Sequence, residues 1–143
     1  MPGIDGEKMS KSYGNTIGLR EAPEEVEKKL RTMPTDPQRV RRSDVGDPDK
    51  CPVWKFHQIY STDEVKNWVQ QGCRSAGIGC IECKQPVIDA VLKELRPIRE
   101  RALEYTEDKD AVRAIVDEGC EKAREVAQQT MEDVREAMGI SYR

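Results

Sequence analysis

The chain has 143 residues; 36% of them are charged, 36% are apolar, and the formal net charge is −3 at neutral pH. No stretch approaches the about 18–20 consecutive apolar residues of a membrane span, and no basic and apolar leader follows Met1. We therefore expect a cytoplasmic protein with no membrane partner, built from helices that each carry one narrow apolar stripe.

Residues 1–22 are predicted to form a loop, because they are rich in glycine and show neither helical nor strand periodicity. A short charged helix is expected over 24–32, since Pro23 is well suited to a helix start. Prolines and aspartates over 33–52 then indicate a series of turns.

The rest of the chain has helical periodicity. No segment alternates between apolar and polar residues, so the predicted fold class is all-α with almost no sheet. Pro52 suits a first helical position, Ser61 and Glu64 form a capping-box pattern, and Gly72 is a stop signal. Pro97 is expected to kink the helix that contains it. The predicted helices cover about 52–60, 62–72, 85–102 and 108–138.

The segment from Lys8 to Ser12 reads KMSKS and lies between glycines. Two lysines on a mobile loop can close over a polyphosphate and stabilise the charge that develops on a departing pyrophosphate. The Ser10 hydroxyl and backbone N–H groups can add hydrogen bonds. A solvated loop is the alternative interpretation of two lysines, but the intact pentapeptide resembles the signature of class I aminoacyl-tRNA synthetases.

Further segments extend this resemblance over essentially the whole chain. Together they are similar to the C-terminal part of bacterial tryptophanyl-tRNA synthetases. Tyrosyl-tRNA synthetases are the nearest relatives of that family, but their C-terminal region lacks the cysteine-rich segment found here. The matching segments are KMSKSYGNTI near the start, TDP at 35–37, GDPDKCPV at 46–53, GCRSAGIGCIECK at 72–84, LRPIRERA at 95–102 and VREAMGI at 134–140.

The resemblance implies an enzyme that activates tryptophan with ATP and Mg²⁺ and then transfers it to tRNA(Trp). It also implies a cytoplasmic homodimer that does not act on DNA. By the same resemblance, Lys8 and Lys11 are catalytic, and they bind ATP together with Met9, Ser10 and Ser12.

The resemblance also implies two regions. Residues 1–22 would be the KMSKS loop, a remnant of the catalytic domain, and 23–143 would be a helical tRNA anticodon-binding domain. The family's Rossmann-like catalytic domain carries a HIGH-type motif with two histidines, whereas these 143 residues contain only His57. We therefore expect that domain to be absent from this sequence, and the chain alone to form no adenylate.

Four cysteines form a second candidate site over 51–83. The four are Cys51, Cys73, Cys80 and Cys83, and the last two form a C-x-x-C pair. Nearby glycines let the backbone wrap a compact centre. Four thiolates suit either tetrahedral zinc or a [4Fe–4S] cluster, while four reduced thiols packed as small apolar groups are the alternative. The resemblance favours the cluster over zinc. Cys120 lies on the apolar stripe of the last helix and is expected in the core.

Basic side chains provide weaker signals. Arg39, Arg41 and Arg42 could contact phosphates, and Arg74 and Lys84 flank the cysteines and could contact anticodon nucleotides. A solvated charged surface is the alternative for each of them.

Three aromatic residues and the single histidine complete the candidates. Trp54, Phe56 and Trp68 could stack on bases, but their helical spacing favours the core. His57 is expected to be a surface or capping group.

Three functions follow from these patterns. The first is the synthetase portion described above. The second is a non-catalytic, metal-stapled tRNA-binding module, and the third is a structural metal domain unrelated to tRNA. KMSKS argues against the third, because a purely structural domain has no use for a phosphate-binding loop.

Overall fold

The computed structural model describes residues 1–140, and these are helical with only short extended contacts. Within this part of the chain the only β-type pairing is an isolated bridge between Pro2 and Lys8, so the all-α prediction is confirmed. Two short 3₁₀ turns accompany five helices. The helices are α1 (Pro23–Thr32), α2 (Pro52–Tyr60), α3 (Asp63–Arg74), α4 (Cys80–Glu107) and α5 (Lys109–Ala137), and the turns are Lys11–Tyr13 and Pro48–Lys50.

The chain divides into two compact units, Met1–Glu100 and Arg101–Arg143. The core of the first unit joins one face each of α1, α2 and α4. Its buried side chains are Val26, Leu30, Met33, Val53, Phe56, Val87, Ile88, Val91 and Leu95.

Two of the three aromatic residues have the predicted burial. Phe56 and Trp54 are buried, as expected for core residues, but Trp68 is 41% exposed, so its predicted core position is wrong. The reason is that α3 turns only Val69 fully inward.

The start of α3 differs from the predicted capping box. Thr62, not Ser61, is the N-cap, and its hydroxyl oxygen accepts a hydrogen bond from the Val65 N–H at 3.4 Å. The Ser61 hydroxyl instead pairs with His57 Nδ1 at 2.8 Å. Ser61 therefore makes a tertiary contact with His57 instead of the capping hydrogen bond that the local pattern predicts.

The end of α3 is two residues later than predicted. The helix continues through Gly72 to Arg74. Ile78 folds back over this glycine so closely that a Cβ there would lie 2.7 Å from its Cγ2 atom. The glycine therefore serves a close packing contact, and a larger residue at this position would force α3 and the following loop apart.

Helix α4 begins at Cys80 rather than near residue 85, which places Cys80 and Cys83 in its first turn. Glu82 stabilises this start, because its Oε2 accepts a hydrogen bond from the Gly79 N–H at 2.8 Å. The helix is assigned without a break through Pro97, and the predicted kink there stays a prediction.

Helix α5 buries no side chain among the described residues of the second unit. Asp108 caps it by accepting a hydrogen bond from the Ala111 N–H at 2.9 Å, and Gly139, with φ of +68°, follows its end as predicted. Cys120 is exposed, so its predicted core position is wrong. A single helix cannot bury its own apolar stripe without a neighbouring element.

Across residues 1–140, no helix combines the length and apolar content needed to cross a bilayer.

Candidate functional site

The KMSKS segment is organised around the buried side chain of Asn15, which is only 2% exposed. Its Nδ2 donates to both carboxylate oxygens of Asp5, at 2.9 and 3.0 Å, and to the Lys8 carbonyl at 3.2 Å. Its Oδ1 accepts from the Ser10 N–H at 2.7 Å. The amide therefore ties together three points of the loop. The sequence interpretation missed Asn15, although asparagine commonly bonds to nearby backbone groups.

The backbone closes tightly around this amide. Gly3 lies so close that a Cβ there would be 2.4 Å from Asn15 Nδ2, and its N–H donates to the Glu7 carbonyl at 2.6 Å. Gly14, with φ of +65°, ends the short turn that contains Lys11. The loop thus has a defined shape even though it contains almost no regular structure.

The acidic and basic groups of the loop differ in whether they have partners. Hydrogen bonds from the Asn15 amide lower the pKa of the Asp5 carboxyl, which stays ionised at neutral pH. Lys8 and Lys11 are exposed, and within residues 1–140 neither ammonium group has an ion-pair partner. Both lysines are therefore free to meet an anionic ligand.

Asn15→Ala is expected to loosen the KMSKS segment. The change leaves the Ser10 N–H and the Asp5 carboxylate without their shared partner, and such a loss costs about 1–3 kcal/mol. We expect amide hydrogen exchange at Ser10 to become about tenfold faster or more. Ser12→Ala is the control, because its hydroxyl only faces solvent. Unchanged exchange at Ser10 in the Asn15 variant would contradict this role.

The four predicted cysteines meet at one cavity, although they come from three helices. Cys51 directly precedes α2, Cys73 lies in the last turn of α3, and Cys80 and Cys83 occupy the first turn of α4. The cavity has a volume of about 20 Å³, and all four cysteines are free thiols. Its other lining residues are Thr35, Asp36, Arg39 and Val53.

The sequence thus identified the members of this cluster. Within residues 1–140, no three His, Cys, Asp or Glu side chains are placed to hold a single metal ion, so metal binding by these cysteines stays a prediction.

The electrostatics of the cavity favour the neutral thiols of Cys73 and Cys83. Burial, followed by the repulsion of the neighbouring cysteines, raises the pKa of Cys83 to about 12. Burial likewise raises the pKa of Cys73. Binding of a metal would have to release these protons, since thiolates are the ligands.

Two neighbours fix the positions of the cysteines. The Gly46 N–H donates to the Cys73 carbonyl at 3.0 Å, and a Cβ on Gly46 would lie 2.7 Å from the Cys73 sulfur. His57 is fully buried, so the prediction of a surface or capping group is wrong. Its Nε2 lies 3.0 Å from the Cys83 carbonyl oxygen and 3.4 Å from the Cys83 sulfur. Burial lowers the pKa of this imidazole, so His57 contacts Cys83 as a neutral group.

Two of the five predicted tRNA-binding residues are buried and serve the fold. Lys84 is 6% exposed, and its Nζ donates to the carbonyls of Arg31 and Met33, both at 2.6 Å. These carbonyls lie at the end of α1, where backbone acceptors lack helical partners. Arg39 is 8% exposed and donates to the Ile78 carbonyl at 2.5 Å. Both side chains are buried and bonded to backbone carbonyls, which does not favour the predicted contact of either with tRNA.

The other three arginines are exposed. Arg74 is engaged with acids, since its Nη2 lies 3.0 Å from Asp49. Arg41 and Arg42 line an open groove of about 590 Å³ beside the first turn of α4. Arg42 also lies 3.4 Å from the Glu82 carboxylate. The groove is completed by Arg39, Val40, Gly79, Cys80, Ile81 and Gln85.

Comparison with known proteins supports the resemblance seen in the sequence. The model of the family "tRNA synthetases class I (W and Y)" matches residues 1–96. A tryptophan–tRNA ligase from Ralstonia nicotianae is 63% identical over 99% of this chain and 36% of that protein. One from Thermotoga maritima is 48% identical over 99% of this chain and 44% of that protein.

A solved structure gives the same result at the level of the fold. The tryptophanyl-tRNA synthetase of Campylobacter jejuni, complexed with ADP and tryptophan, superposes with a TM-score of 0.82 at 28% identity. The match covers 96% of this chain and 43% of that one. The chain thus spans less than half the length of these relatives, and it belongs to the class I tryptophanyl- and tyrosyl-tRNA synthetase family.

Proposed function

We propose that the chain is the part of a tryptophan–tRNA ligase that supplies the KMSKS loop (1–22) and a helical tRNA anticodon-binding region (23–143). The observation that carries this proposal is the pair of exposed, unpaired lysines, Lys8 and Lys11, on a loop fixed by Asn15. The names of the relatives support tryptophan, ATP and tRNA(Trp) as the substrates. In this role the whole enzyme is a cytoplasmic homodimer.

The loop would act when ATP is attacked by the tryptophan carboxylate. The bond from the α-phosphorus to the bridging oxygen breaks, and negative charge moves onto the pyrophosphate. The ammonium groups of Lys8 and Lys11 would stabilise that charge together with Mg²⁺, an effect that is strong where water is excluded. The Ser10 and Ser12 hydroxyls and the backbone near Met9 would position the phosphates.

The direct test is a chimaera that completes this chain with the part of the Ralstonia ligase that it does not match. Tryptophan-dependent ATP–pyrophosphate exchange and charging of tRNA(Trp) are the expected activities. A folded chimaera that exchanges pyrophosphate with a different amino acid, or with none, would overturn the proposal.

The cysteine cavity would hold a [4Fe–4S] cluster, with a zinc ion as the alternative. Four half-buried thiols line one cavity, and the guanidinium of Arg39 beside them has an Nε that has no hydrogen-bond partner within residues 1–140. Cys51, Cys73, Cys80 and Cys83 would supply the four thiolates that such a cluster needs. Both features fit an anionic sulfur-ligated centre. When bound, the group would act as a cross-link between α2, α3 and α4.

The tRNA surface would include the groove beside this centre. Arg41 and Arg42 supply positive charge there, and the exposed side chains of Val40 and Ile81 offer apolar surface to bases. Single-stranded RNA is recognised through such combinations of phosphate contacts and stacking surfaces. An unpaired anticodon loop has both an accessible backbone and unstacked bases.

Arg41→Gln is expected to weaken binding of tRNA(Trp) and to reduce its salt dependence. Loss of one phosphate contact reduces the slope of log affinity against log salt by about 1. Fluorescence anisotropy with a labelled tRNA(Trp) transcript over a range of salt concentrations measures both quantities.

Lys28→Gln is the matched control. It removes one positive charge from an exposed position of α1 that does not line the groove. Equal losses of affinity in the two variants would show that the effect is one of overall charge, and would contradict a specific role for the groove.

A further inference from the structure

Arg39 is a buried cation without a matched anion. Its Nη2 donates to the carbonyls of Ile78 at 2.5 Å and Arg42 at 3.0 Å, and its Nη1 lies 3.9 Å from the Cys73 sulfur. The Nε atom is buried and has no hydrogen-bond partner in residues 1–140. In the same part of the chain, no carboxylate lies within ion-pair distance of its guanidinium.

The nearby carboxylate of Asp36 is already in use. It lines the same cavity, but its Oδ1 accepts from the Gln38 N–H at 3.0 Å and its Oδ2 from the Asp47 N–H at 2.7 Å. Burying a cation without a partner is costly, and so is leaving a buried donor unpaired. The charge and the free N–H of Arg39 are therefore satisfied only when a negatively charged hydrogen-bond acceptor is present at the cavity.

A loaded four-cysteine centre is such an acceptor. Four thiolates carry more negative charge than either a Zn²⁺ ion or the core of a four-iron cluster can cancel, so the centre is net negative with both groups. Hydrogen bonds and charges next to the sulfurs are known to control the affinity and the potential of such centres.

We propose that Arg39 is the positioning residue and counter-charge of the four-cysteine centre. Its guanidinium offsets the net negative charge of the bound group, and its Nε–H is the donor left over for it. The inference rests on the proposed centre, and it replaces the phosphate contact that the sequence suggested for this arginine. Gly46 makes room for the arrangement, since a Cβ there would lie 3.1 Å from Arg39 Cδ.

The test compares Arg39→Gln, which removes the charge but keeps an amide donor, with Arg39→Lys, which keeps the charge. The full 143-residue chain is prepared anaerobically and loaded with iron and sulfide. Iron per chain, the rate of iron loss to a chelator, and the reduction potential of the retained cluster are measured. Arg113→Gln is the control, because it removes the same charge from an exposed position of α5 that lines neither the cavity nor the groove.

Arg39→Gln is expected to lose iron about 10–100-fold faster than the unsubstituted chain, as for other residues that support metal ligands. Any retained cluster is expected to have a lower potential, because removing a positive charge disfavours the more negative reduced state. Arg39→Lys is expected to give values closer to those of the unsubstituted chain in both measurements. The control variant is expected to match the unsubstituted chain. If the centre is zinc, the chelator rate with zinc is the corresponding readout.

Three outcomes separate the proposals. An unsubstituted chain that binds neither iron nor zinc overturns the centre itself. A chain that binds metal, with the same chelator rate and potential in Arg39→Gln, overturns the role of Arg39 alone. If Arg39→Gln does not fold, Arg39→Lys decides: iron loss about tenfold faster or more in a folded lysine variant shows that the charge does not hold the group and overturns the inference.

Discussion

Replacing Lys11 with alanine is expected to slow adenylate formation by roughly 10²–10³-fold, because removing one preorganised charge-stabilising donor typically costs about 2.7–4 kcal/mol in the transition state. Lys11 is exposed and lies at the start of a fixed turn, so its loss leaves the loop's internal hydrogen bonds intact. Its charge is needed most as the pyrophosphate departs. The chimaera described above allows the rate to be measured by single-turnover adenylate formation.

The way in which the kinetic constants change identifies the step. A fall in kcat with little change in the KM for ATP assigns Lys11 to the transition state, whereas a change in KM alone would assign it to ground-state binding and contradict this mechanism. Lys28→Ala is the control, because it removes an exposed lysine from α1 without touching the loop.

Cys83→Ser is expected to abolish stable metal binding, so that the protein retains little or no iron after anaerobic loading. A serine hydroxyl does not supply the thiolate that zinc or iron–sulfur centres need. Cys83 also lies against His57, and burial raises the pKa of its thiol to about 12. The region around it is expected to loosen, because metal binding is coupled to local folding.

Cys120→Ala provides the matched control, since Cys120 is exposed on α5 and outside the cavity. Its iron content is expected to equal that of the unsubstituted chain. One zinc and no iron in the unsubstituted chain would disprove the cluster but keep the site. Absence of any metal, with four freely titrating thiols, would disprove the site itself.

The features that the sequence predicted correctly depend on local spacing. The absence of alternating patterns identified the helical fold, and the C-x-x-C pair with two further cysteines identified the residues that meet at one cavity. The predicted helix boundaries were less accurate, because contacts between different elements help to decide where a helix begins and ends. Ser61 pairs with His57 instead of capping α3, and Gly72 accommodates Ile78 instead of ending the helix.

The environment of long polar side chains was the least predictable feature. Lys84 and Arg39 have the composition of surface residues, but each is buried against backbone carbonyls that only the folded chain brings near. The burial of His57 and the exposure of Cys120 have the same origin, since each depends on what an adjacent element covers. No pattern within one helix contains that information.

The network around Asn15 limits how the KMSKS segment can move. Since one amide joins the Lys8 carbonyl, the Ser10 N–H and the Asp5 carboxylate, the backbone at these three points is expected to move together. Two lysine side chains bond this segment to the helices: Lys55 Nζ donates to the Gly6 carbonyl at 2.6 Å, and Lys29 Nζ donates to the Thr16 carbonyl at 3.0 Å. Any movement of the segment toward a ligand would require these two hydrogen bonds to break, while the bonds of Asn15 hold the backbone between Lys8 and Ser10 in one arrangement.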